Sequence, residues 1–97
     1  MTIEHSETNN KGQFSAIEED KLAGIMTYSR VNEHKIIIDH TEVNPGFEGK
    51  GVGKKLVMSA VAYARDNRQE ILPLCPFAKS VFEKIESIRD VLYKPNI

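Results

Sequence analysis

The chain has 97 residues, of which 40% are hydrophobic and 28% charged, and its formal net charge is -1. These values predict one small globular domain over residues 1–97, and they give no reason to expect nucleic-acid or membrane partners. The single cysteine excludes an internal disulfide and no apolar run approaches membrane-spanning length, so we expect a cytoplasmic protein, and a monomer.

The first half of the chain carries the pattern of four β-strands, at residues 1–7, 13–18, 22–31 and 35–43. The last of these contains the β-branched run Ile36-Ile37-Ile38, which suits a pleated sheet. Short polar segments such as Asn9-Asn10 and Glu19-Asp20 separate the strands. Strands joined by such short turns predict an antiparallel meander.

The second half of the chain changes to a helical period. Small and apolar residues recur every three or four positions, at Gly53, Leu56, Val57, Ala60, Val61 and Ala64. This spacing predicts an amphipathic helix that packs on the sheet and ends near Asp66-Asn67. A short buried strand is expected at residues 71–74, where Pro73 interrupts the pairing. Pro76 then opens a second helix, and Ser87 is expected to cap a last short helix that ends at Leu92.

A glycine-rich segment, residues 44–55, joins the fourth strand to the first helix, and we call it the glycine loop. Its glycines Gly49, Gly51 and Gly53 allow tight turns and close approach to a ligand. The helix that follows has unpaired N–H groups and the positive end of its dipole at this point, which together favour an anion. Positive charge is added by Lys50, Lys54 and Lys55. The loop is therefore either a cradle for a diphosphate or a flexible connector.

His40 and Glu42 lie two residues apart near the end of the fourth strand, so they share a face of the sheet next to the glycine loop. A histidine can move a proton near neutral pH, and a carboxylate can orient it or act as a base. The alternative is a solvated pair, or a partly buried histidine bonded to backbone.

Cys75 lies directly before Pro76 and the start of the second helix. A helix N-terminus can lower the pKa of a thiol and produce a nucleophilic thiolate. The alternative is that a lone cysteine packs as a small hydrophobic residue. The histidines, Cys75 and the acidic residues show no metal-ligand spacing, so we expect no metal site.

The glycine loop resembles the acetyl-coenzyme A motif of the GNAT superfamily of N-acetyltransferases. That motif reads Gln/Arg-x-x-Gly-x-Gly/Ala, and here it is Glu48-Gly49-Lys50-Gly51-Val52-Gly53, with Glu48 in place of the basic or amide residue. Residues 12–14, 23–28, 40–43 and 73–77 also match a small, truncated branch of the superfamily that has a Cys-Pro motif. The resemblance covers nearly the full chain.

The resemblance implies a mixed α+β fold with a central, mostly antiparallel sheet and helices on both faces. It also implies a gap between the strand that ends at Val43 and the strand that ends at Cys75. Acetyl-CoA would thread this gap as cosubstrate, without a metal. The implied cofactor contacts are Val43, Glu48, Gly49, Lys50, Gly51, Val52, Gly53, Lys54, Lys55, Pro76 and Phe77.

Three functions are compatible with these observations. The leading hypothesis is transfer of an acetyl group from acetyl-CoA to an unidentified small amine or protein, with Cys75, His40 and Glu42 as catalytic candidates. The second is a CoA-binding module with a sensing or partner role and little catalysis. The third is a nucleotide-binding regulator, but Gly53 is followed by two lysines and not by the Lys-Ser/Thr ending of a P-loop.

Overall fold

The computed structural model describes residues 1–94 as a five-stranded sheet in the order β1-β2-β3-β4-β5. The strands are β1 Thr2–Thr8, β2 Lys11–Glu18, β3 Lys21–Asn32, β4 Lys35–Val43 and β5 Glu70–Pro73. The helices are α1 Val52–Asp66 and α2 Pro76–Lys84, followed by a 3-10 helix at Glu86–Val91. None of the helices in residues 1–94 is long and apolar enough to cross a membrane.

The first four strands form the predicted antiparallel meander, and β5 runs parallel to β4 after the α1 crossover. The first two hairpins close through two-residue turns in which both central residues have positive φ: 52° and 64° at Asn9 and Asn10, and 49° and 65° at Glu19 and Asp20. Such turns match the twist of the flanking strands, and asparagine tolerates them well. The sequence thus predicted the mixed α+β fold correctly.

The core lies between one face of the sheet and α1. Phe14, Ala16, Met26 and Tyr28 alternate along β2 and β3 and are 3%, 0%, 0% and 1% exposed, whereas the residues between them are only half-buried. Helix α1 packs against both strands, while α2 packs against β4, β5 and α1. Within residues 1–94, the contacts of α2 with the sheet are therefore concentrated at its β4–β5 edge.

The last helix differs from its prediction, because Ile85 precedes it and Ser87 lies inside its first turn. The Arg65 guanidinium at the end of α1 donates to the Ser87 carbonyl and to the Asp90 carboxylate, at 2.8 and 2.7 Å. Ile88 and Val91 are buried three residues apart, which suits the three-residue repeat of a 3-10 helix. Tertiary contacts thus set this element, and no side chain caps it.

A polar and aromatic cluster that the sequence did not predict joins β1 to β3 and α1. The Tyr28 hydroxyl donates to Glu7 at 2.6 Å, and Arg30 donates to both Glu7 and the Tyr63 hydroxyl. His5 stacks on the Phe14 ring at 4.2 Å. Since the single hydroxyl proton of Tyr28 serves Glu7, the His5 Nε2–H donates to Tyr28, 2.6 Å away. This cluster fixes the edge strand β1 to the core.

The cluster predicts an acid-sensitive contribution to stability. Hydrogen bonds from Arg30, and then from Tyr28, lower the pKa of Glu7 from 4.5 to about 2. A lowered pKa stabilises the folded state above the unfolded pKa, and this stability is lost as the pH falls from about 4.5 towards 2. We expect Glu7→Gln to lower the free energy of unfolding at neutral pH. Between about pH 4.5 and 2, the free energy of unfolding of this variant should fall less steeply than that of the wild type.

Urea unfolding at several pH values measures this effect. Glu4→Gln on the same strand is the matched control, because it removes one exposed carboxylate outside the cluster. Equal losses of stability on acidification in the wild type and in Glu7→Gln would contradict the assignment.

Candidate functional site

Strands β4 and β5 separate at Ile38. Their parallel pairing ends at Ile38 and Pro73, and the Ile38 carbonyl accepts the N–H groups of Leu74 and Cys75 at 3.1 and 3.2 Å. Residues 39–43 continue beside β3 but have no partner strand on their other side within residues 1–94. The register with β3 shifts at the same place, so Asp39 is an extra residue of β4. A bulge of this kind bends its strand.

The glycine loop is anchored to the start of β3. The backbone N–H of Asn44 donates to the Ala23 carbonyl at 2.8 Å, and its side-chain amide donates to Leu22 at 2.7 Å. Glu48 accepts the N–H of Gly46 at 2.9 Å, so its carboxylate bonds within the loop. This contact gives Glu48 a structural role at the position where the motif has a glutamine or arginine.

The glycines of the loop serve two different purposes. Gly46, Gly49 and Gly51 have φ values of 92°, 79° and 74°, which side-chain-bearing residues rarely adopt. Gly53 has ordinary helical geometry, but a Cβ there would lie 2.6 Å from the Phe77 ring. The loop therefore needs glycine for its backbone path at three positions and for helix packing at the fourth.

The N-terminus of α1 is open to an anion. Gly51 is its N-cap and supplies no side-chain hydrogen bond, and the first turn contains no acidic residue. The Lys55 N–H donates to the Gly51 carbonyl at 3.0 Å, so the preceding N–H groups belong to the unpaired first turn. Lys50 and Lys54 are exposed beside it. Backbone donors, helix dipole and positive side chains therefore converge at one place.

A cavity of about 490 Å³ connects this helix terminus to the end of β4 and to α2. Eight residues predicted to bind the cofactor line it: Val43, Glu48, Gly49, Gly51, Val52, Gly53, Lys54 and Phe77. Lys50, Lys55 and Pro76 lie outside it, and Lys55 lines a neighbouring groove against Ile3 and Met58. The other lining residues are Phe47, Ser80, Val81, Lys84 and Ile85.

The α2 wall of the cavity was predicted only at Phe77, and the other lining residues of that wall, Ser80, Val81, Lys84 and Ile85, were not predicted. Phe77, Val81 and Ile85 recur every four residues, which indicates a core-facing stripe. However, Phe77 is 41% exposed and lines the cavity. The same stripe therefore contributes to the core, where Val81 is 6% exposed, and to the cavity, and no feature of the sequence separates these two uses.

The three catalytic candidates do not share one face of the sheet. His40 pairs with Thr27 and Glu42 with Ile25, on the face of β3 opposite to the buried Met26. Both His40 and Glu42 are exposed. Cys75 is 5% exposed and belongs to the core on the helix side. Within the described residues, His40 and Cys75 therefore lie on opposite sides of the sheet and do not form a pair.

Cys75 is the N-cap residue of α2, as its place before Pro76 suggested. Its Sγ lies 3.4 Å from the hydroxyl oxygen of Thr41. Burial raises the pKa of the Cys75 thiol, but the Thr41 hydroxyl and the N–H groups of Ala78 and Phe77 outweigh burial and lower the pKa below its usual value. These contacts therefore stabilise the charged form of the thiol at the point where β4 and β5 separate. Within residues 1–94, no three metal-ligating side chains cluster.

The two uses of glycine predict different mutant behaviour. Gly51→Ala meets open space but must adopt a φ of 74°, which costs about 1 kcal/mol of unfolding free energy. Gly53→Ala instead displaces the Phe77 ring. In urea unfolding, Phe77→Ala should therefore relieve the cost of Gly53→Ala and leave that of Gly51→Ala unchanged. Equal coupling of Phe77→Ala to both glycine substitutions would refute this division.

Comparison with known proteins identifies the family. The family described as GCN5-related N-acetyl-transferase matches residues 13–91. The solution structure of a GCN5-like protein from Staphylococcus aureus, assigned to the N-acetyltransferases, is 36% identical with a TM-score of 0.69. The match covers 96% of this chain and 90% of that one. No curated protein sequence matches this chain.

More distant structures share the fold. A ribosomal-protein-alanine N-acetyltransferase from Brucella melitensis biovar Abortus 2308 is 15% identical with a TM-score of 0.71, over 93% of this chain and 67% of that one. A Bacillus anthracis strain Ames protein assigned as a streptothricin acetyltransferase, solved with acetyl-coenzyme A, is 20% identical with a TM-score of 0.56, over 68% of this chain and 39% of that one. The protein belongs to the GCN5-related N-acetyltransferase family.

Proposed function

We propose that this protein transfers an acetyl group from acetyl-CoA to an amine. One observation carries the proposal: a single cavity is lined both by the start of α1 and by Val43, which ends the part of β4 that has no partner on its β5 side within residues 1–94. The α1 terminus offers donors for a diphosphate, and the free edge of β4 offers backbone groups for the amides of pantetheine. Family membership supports the same chemistry.

The free edge of β4 suits an extended, amide-bearing chain. After Ile38, residues 39–43 lack a partner on the β5 side, so their outward N–H and C=O groups are available there. Pantetheine contains two amides and extends from the diphosphate to the thioester sulfur. We propose that it runs along this edge from the glycine loop towards Cys75. The apolar side chains of Val43 and Phe77 line the same cavity.

Cys75 is proposed to act on the thioester in one of two ways. In the first, its thiolate attacks the acetyl carbonyl, the bond from that carbon to the CoA sulfur breaks, and CoA leaves as a thiolate. The amine then attacks the acetyl-cysteine, and the Cys75 thiolate is released. In the second, the amine attacks the thioester directly, and the Cys75 thiol gives its proton to the departing CoA thiolate.

His40 and Glu42 are proposed to serve the amine from the other face of the sheet. Both are exposed on the face of β4 that points away from the helices, where a polar acceptor can approach. An amine that attacks a carbonyl must lose a proton, and a neutral histidine can take it. This arrangement divides the work: Cys75 acts on the thioester from the helix side and His40 accepts the proton from the open side.

A second candidate is a CoA-binding module with a sensing or partner role. It is favoured by the burial of Cys75, which is only 5% exposed, and by the separation of Cys75 from His40. The two candidates differ in turnover. We propose the cytoplasm as its location, because a lone thiol remains reduced there, and we propose a monomer.

Acetyl transfer is tested by incubating the protein with acetyl-CoA and a panel of amines and peptides while the released CoA thiol is measured. We expect release that depends on one class of acceptor. Gly53→Val should reduce it, because the bulkier side chain crowds both the Phe77 ring and the helix terminus. Saturable binding of acetyl-CoA without release for any acceptor would favour the binding module.

The route through Cys75 is tested by mass spectrometry without an acceptor. The acetyl-cysteine route predicts one added acetyl group on the peptide that contains Cys75, absent in Cys75→Ala. The direct route predicts no label but slower transfer in Cys75→Ala. If Cys75→Ala binds acetyl-CoA and transfers the acetyl group at the wild-type rate, Cys75 is a packing residue and the catalytic role passes to His40 and Glu42.

A further inference from the structure

The residue of β4 that faces Cys75 is Thr41. It pairs with Met26, whose side chain is completely buried, so Thr41 is on the helix side of the sheet. Its neighbours His40 and Glu42 are on the other side. The Thr41 hydroxyl oxygen lies 3.4 Å from the Cys75 sulfur, across the point where the two strands separate.

The backbone of Cys75 is fixed on both sides of this contact. Its N–H donates to the Ile38 carbonyl at 3.2 Å, and its carbonyl accepts the Lys79 N–H at 3.0 Å. These two bonds tie Cys75 to β4 and to the first turn of α2. The position of its Cα is therefore fixed, and the Thr41 hydroxyl lies within hydrogen-bonding distance of its sulfur.

A threonine hydroxyl can serve both protonation states of the thiol. When Cys75 is protonated, its S–H donates to the Thr41 oxygen. When Cys75 is a thiolate, the sulfur has no proton, and the Thr41 O–H rotates to donate to it. A hydrogen bond to a charged acceptor is stronger than one to a neutral acceptor, so the contact favours the thiolate.

We propose that Thr41 is the positioning residue for Cys75, and that its hydroxyl holds the sulfur at the mouth of the gap as the thiol gains or loses its proton. This inference rests on the proposed acetyl transfer. Both routes need the Thr41 hydroxyl, because each route has a stage at which Cys75 is a thiolate. In the first route this is the attacking form, and in the second it remains after the proton has gone to CoA.

The charged side chains near Cys75 face away from its sulfur, so the groups that act on the thiolate are the Thr41 hydroxyl and the backbone N–H groups of α2. On β4, His40 and Glu42 are on the opposite face, and the Asp39 carboxylate accepts a hydrogen bond from Ser29 at 2.7 Å. On α2, the N–H groups of Phe77 and Ala78 act on the sulfur together with Thr41. The nearest charged residue along that helix, Lys79, is exposed.

The test compares Thr41→Val, Thr41→Ser and Thr27→Val. Thiolate absorbance near 240 nm is titrated against pH without acetyl-CoA, after subtraction of the Cys75→Ala titration. Valine removes the hydroxyl, and we expect the pKa of Cys75 to rise by about one unit. Thr41→Ser keeps the hydroxyl and should restore the wild-type value. Thr27→Val makes the same change on the opposite face and should leave the pKa unaltered.

Acetyl transfer over the same pH range provides the second measurement. In Thr41→Val, the pH at which acetyl transfer is half-maximal should shift by the same amount as the pKa of the thiol. In Thr41→Ser, this pH should stay close to the wild-type value. An unchanged thiol pKa in Thr41→Val overturns the proposal, and so does a raised pKa with an unmoved transfer profile. Failure of the proposed function is distinguishable, because full transfer by Cys75→Ala would remove Cys75 from the reaction whatever the titration shows.

Discussion

The separation of β4 from β5 is the constraint on which the rest of the site depends. Pro73 has no N–H to extend the parallel ladder, and the Ile38 carbonyl takes both following N–H groups, so the pairing stops at a defined point. The extra residue Asp39 bends β4 at the same place. Strand β4 is therefore paired with both β3 and β5 in its first half, and with β3 alone in its second half within residues 1–94.

This division determines what each end of β4 contributes. Its first half, with the fully buried Ile36 and Ile38, anchors the sheet to α1 and β5. Its second half has a free edge on the β5 side, ends at the cavity with Val43, and sends alternate side chains to opposite faces. Thr41 therefore meets Cys75 on the helix side, while His40 meets solvent. A single strand therefore presents a threonine to the helix side and a histidine to the open side of the sheet.

The sequence predicted the strands, α1, α2 and the position of the α1 N-terminus because these depend on local rules. Alternation, helical period and turn residues fixed the strands, α1 and α2, and the glycine pattern identified the helix terminus. It did not predict the polar and aromatic cluster that joins β1 to β3 and α1, or the contact between Thr41 and Cys75. Both depend on the register between strands and on contacts far apart in the chain. The bulge at Asp39 is an example: one inserted residue decides which side chain of β4 faces the thiol, and no local pattern signals it.

The most direct test of this account is a nuclear Overhauser measurement on the ¹⁵N-labelled protein with acetyl-CoA. We predict contacts from the pantetheine protons to the backbone amides of residues 41–43 and to the Phe77 ring. Amide shifts should accompany them from residue 49 to residue 54, around the start of α1. Contacts confined to the hairpin of β1 and β2, or bound acetyl-CoA with no contact to the free edge of β4, would contradict the account.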